Sequence, residues 1–556
     1  MKDVLTEALT RAKQAGDLHF ETLPEIVLRR PPEKEQGDFA STIAMQLAKQ
    51  EQRAPREIAQ TILRHLQTEN SPVQRCEIAG PGFLNFFVNQ AYWHDLLRAI
   101  VTQKDQYGKL NIGQGKKVQV EFVSSNPTGP LHVGHGRGAI VGDVMASILT
   151  QAGYDAQREY YVNDAGNQMD KVGKSAWCRY MQLQGNDVPF IEDGYKGEYM
   201  YDIARKIIAQ EGDKYVNAPL EESLPFFRTF ACQYILAWMK ADLERFNVRY
   251  DVWFSEQSLY DNHEVERLVE RLKREGWMYE QDGAVWFKTT EQDDDKDRVV
   301  IRSDGRPTYF ASDIAYHENK FQRGFQKIIN VWGADHHGYV PRLKGVVKAL
   351  GYSEDALDVI LVQMVSLLRN GERVAMTTRG GVFELLSDVI DEVGVDATRF
   401  MFNMRRSDSQ LEFDLGLAKK QSKENPVYYV QYAHARICSI FREAEKQGIA
   451  LPDINAIDCA RLQLEEEMSL IAELAQFPKV IEISARDLEP HRLTYYVQEL
   501  AGQFHAYYNL GNKSVERRVI TDDPAVTHAR LLLVKAIQIV LQNALKILGV
   551  SAPEQM

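Results

Sequence analysis

The stretch from Lys117 to Val162 constrains the fold of this chain more than any other. Lys117-Val118-Gln119-Val120-Glu121-Phe122-Val123 alternates with period two and reads as a strand. A loop follows, then a helix rich in Gly, Ala, Ile and Val from about Val133 to Gln151, then a second strand over Asp155–Val162. Strand, helix and strand in so short a span make a parallel βαβ unit. Residues of about 165–250 read as helical and interrupt the sheet. Strand signals return at Ala284–Phe287, Thr308–Phe310, Lys327–Trp332 and Val359–Val365, with helices near Ile314–Phe321 and Val340–Leu350.

The flanking regions differ in character. Ile43–Ala48 reads as an amphipathic helix, Ile78–Val88 as strand and turn punctuated by Gly80-Pro81-Gly82, and Tyr92–Lys104 as a helix. Tyr107–Lys117 is polar, contains Gly and reads as a linker. From about Glu384 onward nearly everything reads helical, with apolar residues at i, i+3, i+4 and i+7 around 417–447, 459–482, 487–512 and 524–548. The expected fold is multidomain α/β: a parallel-sheet domain with a helical insertion, an α+β N-terminal domain and an α-helical bundle at the C-terminus. The boundaries fall at 1–112, 113–385 with the insertion at about 165–250, a connecting helical segment 386–420, and 421–556.

Lys plus Arg total 66 against 78 Asp plus Glu, a net charge of −12. That excludes indiscriminate coating of nucleic acid but leaves room for a local basic face that meets one RNA. Cys76, Cys178, Cys232, Cys438 and Cys459 are scattered with no Cys-x-x-Cys pair, so neither a disulfide framework nor a cysteine zinc site is expected. No run approaching about 18–20 apolar residues stands out, and the N-terminus carries acids and no apolar signal region. A cytoplasmic protein with no membrane segment is expected.

The densest chemistry is Ser124-Ser125-Asn126-Pro127-Thr128-Gly129-Pro130-Leu131-His132-Val133-Gly134-His135-Gly136-Arg137-Gly138, which follows a strand and opens a helix. Backbone N–H groups at such a helix start favour an anion, so phosphate is the expected guest. His132 and His135, three apart, can share a helical face and donate to it, and Gly134 permits close approach to the backbone. Three other readings stand beside this one. The histidines could simply cap the helix. Gly134-x-Gly136-x-x-Ala139, with Glu159 downstream, fits a loose dinucleotide pattern, although Ser124–Val133 makes the loop too long for it. A metal site would need a carboxylate between the histidines, and there is none.

The string Ser124–His135 resembles the HIGH signature of class I aminoacyl-tRNA synthetases, in the version carried by the arginyl-tRNA synthetase family. Later motifs keep that family's order along essentially the whole chain. The resemblance implies a Rossmann-like catalytic domain that activates L-arginine with ATP, Mg²⁺ arriving with the ATP, and transfers it to the 3′ end of arginine tRNA. It implies His132, His135 and Arg379 as catalytic residues. It places Gly134, Gly136, Gly333, Asp335, His336, Met364, Met376, Thr377 and Thr378 at ATP, and Asn126, Glu256, Tyr309 and Asp313 at arginine. It implies no metal ligands, a monomer, and activation that needs bound tRNA. The N-terminal domain, with Gly37-Asp38-Phe39-Ala40, resembles one that grips the tRNA elbow, and the C-terminal bundle resembles an anticodon-binding domain with Tyr432, His434 and Arg436 toward the RNA.

Residue chemistry supports some of these positions independently. A guanidinium presents five donors in a planar fork and calls for carboxylates. Tyr309 and Asp313 are four apart and share a face if the segment is helical, and Glu256 ends the aromatic run Tyr250–Ser255. Without the resemblance either acid would read as a solvated carboxylate. Gly333-Ala334-Asp335-His336-His337 follows an apolar strand, the end of a parallel strand being where ligands bind. Adjacent histidines point apart, so at most one faces the site, and Asp335 with a histidine could be a structural pair. Val362–Val365 reads as a strand edge whose backbone could read adenine. The rings of Tyr428–Arg436 and Phe504–Asn509 could stack bases or fill a core.

The family's second signature, a lysine-bearing loop that stabilises leaving pyrophosphate, survives as Ala375-Met376-Thr377-Thr378-Arg379-Gly380-Gly381, with Ala375 in place of the lysine. Arg379 or Arg373 is expected to supply the missing charge. The alternative reading is a catalytically impaired relative that only binds tRNA.

Overall fold

The computed structural model describes the chain apart from residues 30, 32, 70, 293, 370 and 375–383. It divides into two compact units. One comprises Gly108–Arg436, Phe477–Gly502 and Leu541–Met556; the other comprises Met1–Tyr107, Ile437–Gln476 and Gln503–Val540.

The first unit is built on five parallel strands: β1 (Lys117–Phe122), β2 (Asp155–Val162), β3 (Val252–Ser255), β4 (Lys327–Gly333) and β5 (Leu357–Val362). Their spatial order is β5-β4-β1-β2-β3. Helix α1 (Val133–Gln151) joins β1 to β2. Helices α2 (Asn167–Leu183), α3 (Tyr199–Glu211) and α4 (Leu220–Arg245) form the insertion between β2 and β3. Helix α5 (Tyr309–Gln322) precedes β4, and α6 (Val340–Ala349) follows it. Chain order reverses between β1 and β4, so the crevice at their C-terminal ends is the switch point where open α/β sheets take ligands. The loops carrying His132 and Asp335 leave the sheet on either side of that point.

The alternation in β1 implies a polar face open to water, yet both faces are buried after Lys117. Glu121 lies in register between Asn330 on β4 and Glu159 on β2. Helix α5 covers this polar row. Fully buried Lys320 donates to Glu121 Oε2 at 2.6 Å and to Asn330 Oδ1 at 3.1 Å, and Arg323 grips Glu159 with both arms. A parallel sheet has helices on both faces, so polar residues on the second face must be satisfied internally.

Several sequence expectations are corrected. Thr308–Phe310 is not a strand. The Thr308 N–H donates to Val300 O at 2.8 Å and its hydroxyl to Val299 O at 2.9 Å, which ends the extended path, and α5 starts at Tyr309. Val359–Val365 is not one strand: β5 ends at Val362, and Val365–Arg369 enters a second small sheet with Glu372–Arg373 and Leu411–Asp414. The last of these is a strand in a region read as helical. Helix Pro524–Leu548 is long and apolar enough to cross a membrane, contrary to the expectation that no such run exists, but most of it is buried within the fold.

In the second unit, Leu28–Arg29, Phe39–Ser41, Phe83–Val88 and Val73–Ala79 form an antiparallel sheet in that order. Its core takes Leu5, Leu9, Leu47, Ile58, Ile62 and Phe86 from sheet and helices together. Arg98 reaches the carbonyls of Ile454 and Ile457, and the Tyr107 hydroxyl that of Leu474, tying residues 437–476 to the N-terminal part. Phe504 and Tyr507 are buried, and Tyr507 donates to the fully buried Glu467, which also holds Arg530 at 2.7 Å. That aromatic run therefore fills a core. Asp38 accepts from Val88 N–H at 2.7 Å and pins the sheet.

Candidate active site

The site begins with a strained exit from β1. Val123 has φ +68° and Ser124 φ +43°, and the Ser124 N–H donates back to Phe122 O at 3.0 Å, closing a γ-turn of the rare hand. A β-branched residue in that region is an outlier and costs on the order of 1–3 kcal/mol. The loop beyond it is held by tyrosine hydroxyls: Tyr160 donates to Ser125 O at 2.8 Å and Tyr199 to Thr128 O at 2.6 Å. Asn126 Nδ2 donates to Gln168 Oε1 at 2.6 Å.

His132 caps α1. Its Nδ1 accepts from Gly134 N–H at 3.1 Å, while His135 Nδ1 accepts from His132 N–H at 3.2 Å, a reciprocal capping box made of two imidazoles. Because each Nδ1 accepts, each ring proton sits on Nε2, which makes both rings Nε2–H donors. The rings lie 3.7 Å apart, centroid to centroid. Burial lowers the pKa of His132. Burial, aided by the neighbouring His132, pushes His135 down to about 3. Burial thus favours the neutral form of both rings. They are helix caps as well as candidate phosphate donors, so the two sequence readings coincide. A Cβ on Gly134 would lie 2.9 Å from the His132 ring.

Gly136 serves packing: a Cβ there would meet Leu386 Cδ1 at 2.7 Å and Phe402 Cε2 at 2.9 Å. Sequence reasoning missed Arg137. It is fully buried, and its guanidinium donates to Gln363 O, Ser409 O and Arg406 O at 2.6–2.9 Å. The His132 segment is also clipped to the chain that follows the second signature: Val133 N–H donates to Glu384 O and Leu386 N–H to Leu131 O. Ala375, Met376, Thr377, Thr378 and Arg379 lie outside the described residues. Arg373 is exposed beside Glu412 at 3.3 Å.

A cavity of about 350 Å³ opens nearby, lined by Glu256, Tyr260, Tyr309, Arg302 and Arg306 among others. Glu256 is 2% exposed. Its carboxyl is pushed up to about 7, chiefly by burial, with the charges of Asp313 and Asp164 adding to this and hydroxyls of Ser312 and Tyr161 opposing it. Asn163, with its amide NH2 turned to the carboxylate, donates to Glu256 Oε2 at 2.7 Å. Asp313 lies one turn along α5 from Tyr309 and accepts from the Tyr339 hydroxyl. Burial lifts it to about 6. Neither acid is a solvated surface carboxylate. Two carboxyls raised chiefly by burial, one influencing the other, suit a cationic guest better than an apolar one.

At the end of β4, Asp335 and His336 are exposed, their closest approach is 3.6 Å, and His337 turns its Nδ1 to Ala334 O at 3.1 Å. No buried Asp–His pair forms. Met364 is 76% exposed in the break after β5, where Gln363 N–H is already spent on Ser407 O. Glu159, the ribose ligand of the dinucleotide reading, is fully buried and held by Arg323 and Tyr316. His434, expected to face RNA, is fully buried, with Nδ1 beside Pro553 O at 2.9 Å. Tyr432 and Arg436 pair one turn apart on the same helix, guanidinium over ring at 4.5 Å.

Comparison with known proteins covers the whole chain. Residues 1–88 match the arginyl tRNA synthetase N terminal domain, 96–414 the catalytic domain of class I tRNA synthetases (R), and 430–556 the DALR anticodon binding domain. The arginine–tRNA ligase of Syntrophotalea carbinolica is 53% identical over all of this chain and 99% of its own length. That of Caldanaerobacter subterraneus is 49% identical over 100% of this chain and 98% of its own. The solved arginyl-tRNA synthetase of Thermus thermophilus has the same fold, with a TM-score of 0.77 over 100% of this chain and 99% of that one at 22% identity.

Proposed function

The chain belongs to the arginyl-tRNA synthetase family and charges arginine tRNA at the expense of ATP, and from that premise we propose which residues carry the chemistry. A carboxylate oxygen of arginine attacks the α-phosphorus of ATP in line. The bond to the β,γ-pyrophosphate breaks and arginyl-adenylate forms. The terminal ribose hydroxyl of the tRNA then attacks the arginyl carbonyl carbon, and AMP leaves. Neither step needs a covalent enzyme intermediate, so the protein contributes positioning and charge stabilisation.

Glu256 and Asp313 are the arginine-reading acids, with Tyr309 and Asn126 beside them. The single observation that carries this is buried Glu256 lining the cavity together with Tyr309, with Asp313 one turn along the same helix from Tyr309. Both carboxyls are costly to ionise alone and favourable to ionise against a cation. His132 and His135 donate Nε2–H to the triphosphate, where neutral donors follow charge as it develops and need no proton transfer. Gly134, Gly333, Asp335, His336 and Met364 flank the nucleotide at the switch point. Met376, Thr377, Thr378 and Arg379 meet the leaving pyrophosphate, with Arg379 replacing the lysine charge lost at Ala375. Arg373 is the weaker candidate because Glu412 already faces it. Among the described residues no cluster of three or more His, Cys, Asp or Glu could hold a metal, so Mg²⁺ would be held by phosphate oxygens and supply charge neutralisation there.

In the same reading residues 1–112 grip the tRNA elbow, 113–385 carry catalysis, 386–420 connect, and 421–556 meet the anticodon through faces that include Tyr432 and Arg436. The enzyme acts as a cytoplasmic monomer, the long apolar helix Pro524–Leu548 being mostly buried. Activation waits for bound tRNA. Arginine-dependent ATP–pyrophosphate exchange, run with and without arginine tRNA, tests this. Exchange only with tRNA is expected. Equal exchange in both reactions would refute the coupling, and exchange unaffected by Glu256→Gln and Asp313→Asn would refute the acid assignment.

A further inference from the structure

A second cavity, of about 580 Å³, opens at the end of the parallel sheet opposite the switch-point crevice. Its floor is Val118 near the start of β1, Ile329 in β4 and Leu149 near the end of α1, all almost wholly shut off from water. Its open apolar walls are Ile112, which is 43% exposed, Tyr154 just ahead of β2, and Leu488 just beyond the helix Phe477–Asp487. The elements β1, β4 and α1 deliver their other ends to the active site, so the two sites are separate. Leu149 lies about 25 Å along α1 from His132, at about 1.5 Å per residue. A cavity of this size, with apolar walls and a few polar groups, has the make-up of a small-molecule site.

The charges around this cavity are already paired, with one exception. Lys327 holds Asp358 at 2.6 Å, Lys479 holds Glu482 at 2.9 Å, and Asp487 holds Arg486 at 2.7 Å. Lys116, exposed at the rim, has no ion-pair partner among the described residues. One positive charge is therefore left uncompensated. The Tyr154 hydroxyl and the Gln326 side-chain amide also line the cavity and have no hydrogen-bond partner among the described residues. Both can donate to an anion. The Tyr154 ring is fixed against the backbone, since a Cβ on Gly113 would lie 2.5 Å from its Cγ. A neutral apolar guest would leave the lysine unmet and a cation would be repelled by it, whereas an anion with an apolar body answers both the walls and the charge.

We propose that the cavity at the base of the sheet is a binding site for a small amphipathic monoanion, an aryl or branched-alkyl carboxylate or sulfonate. Its apolar body lies between Ile112, Tyr154 and Leu488, and its charge meets Lys116 at the rim, with Gln326 and Tyr154 donating beside it. The site is filled independently of ATP and arginine.

Anilinonaphthalene sulfonate, a fluorescent aryl sulfonate, is the probe, titrated into the full-length protein at low salt with and without saturating ATP and L-arginine. One saturable site is expected, with a Kd that the two substrates leave within about twofold. Lys116→Glu should weaken the probe about fivefold and Lys116→Arg should keep it within about twofold, the scale of a rim charge. Gln326 is exposed, so Gln326→Trp can be carried without disturbing the core, and its indole should take up the cavity and weaken the probe about tenfold or more. Thermal melts check that each variant is folded. Should Gln326→Trp melt early, the Lys116→Glu and Lys116→Arg pair decides alone. Displacement of the probe by ATP or arginine would place it in the active site and overturn the proposal. So would a Kd untouched by Lys116→Glu, or no saturable binding below about 1 mM.

Discussion

Arginine affinity should fall steeply as pH drops from 8 to 6. Arginine offers a guanidinium and an ammonium, and each needs an ionised carboxylate. Glu256 titrates at about 7 and Asp313 at about 6 in the empty pocket. At pH 8 both are almost fully ionised. At pH 6 roughly one Glu256 in eleven and half of Asp313 are, so the competent fraction is about one in twenty. Arginine should therefore bind about 20-fold more weakly at pH 6, a loss of about 1.8 kcal/mol. Binding holds both acids ionised, so about 1.4 protons should leave per arginine at pH 6 and almost none at pH 8. His135 adds nothing over this range, since burial keeps it neutral. The sign for the empty protein is opposite. A carboxyl whose folded pKa is raised weakens the fold as pH rises from its ordinary range to the raised value, so these two acids contribute less to the stability of arginine-free protein at pH 8 than at pH 5, while the buried histidines contribute in the opposite direction. Calorimetric titration of arginine in two buffers of different ionisation enthalpy gives affinity and proton count together. A dissociation constant flat within twofold from pH 6 to 8, with under about 0.3 proton released at pH 6, would show that these acids do not read arginine.

Other outcomes are expected from the same geometry. His135→Asn should lower exchange about 10²-fold with arginine binding unchanged, the cost of one donor to a developing oxyanion; equal loss of arginine affinity in calorimetry would argue for a structural role. Arg137→Met strands three buried carbonyls, and thermal melts should show a loss of about 3 kcal/mol or more. Gly136→Val should be destabilised by several degrees, because its side chain would collide with Leu386 and Phe402. Arg379→Ala should slow exchange about 10²-fold while Arg373→Ala changes it little; two unaffected variants would leave the absent lysine charge unexplained.

The parallel unit Lys117–Val162 was legible because its periodicities are local and unambiguous: β1, α1 and β2 fall where the pattern puts them. Thr308–Phe310 misled because Thr, Tyr and Phe favour strands, while hydrogen bonds from Thr308 to the preceding strand Arg298–Ile301 decided the matter. Val359–Val365 read as continuous because nothing in Val362-Gln363-Met364-Val365 signals that two sheets share the run. Leu411–Asp414 was invisible for the same reason, its pairing with Val365–Leu368 being wholly non-local. In the site, the residue types were legible and their environments were not. Nothing in the order of Glu256 or Asp313 shows enclosure, and His434 gave no hint of a core position beside Pro553. Arg137, inside a Gly-rich motif, carries a charge that reads as surface although its three acceptors lie far along the chain.

That arginine also bears on synthesis. Its acceptor at Ser409 lies 272 residues downstream. At about 5–20 residues per second, roughly 15–50 s pass between the emergence of the two from the ribosome. During that interval the nascent helix behind the His132 motif carries a guanidinium that belongs inside the protein and has none of its acceptors. A chain halted before residue 409 would therefore carry the signature with this guanidinium short of its Ser409 acceptor. An unfinished translation product of this enzyme should compete poorly for ATP and be a ready substrate for proteases, with a single buried charge acting as the timer.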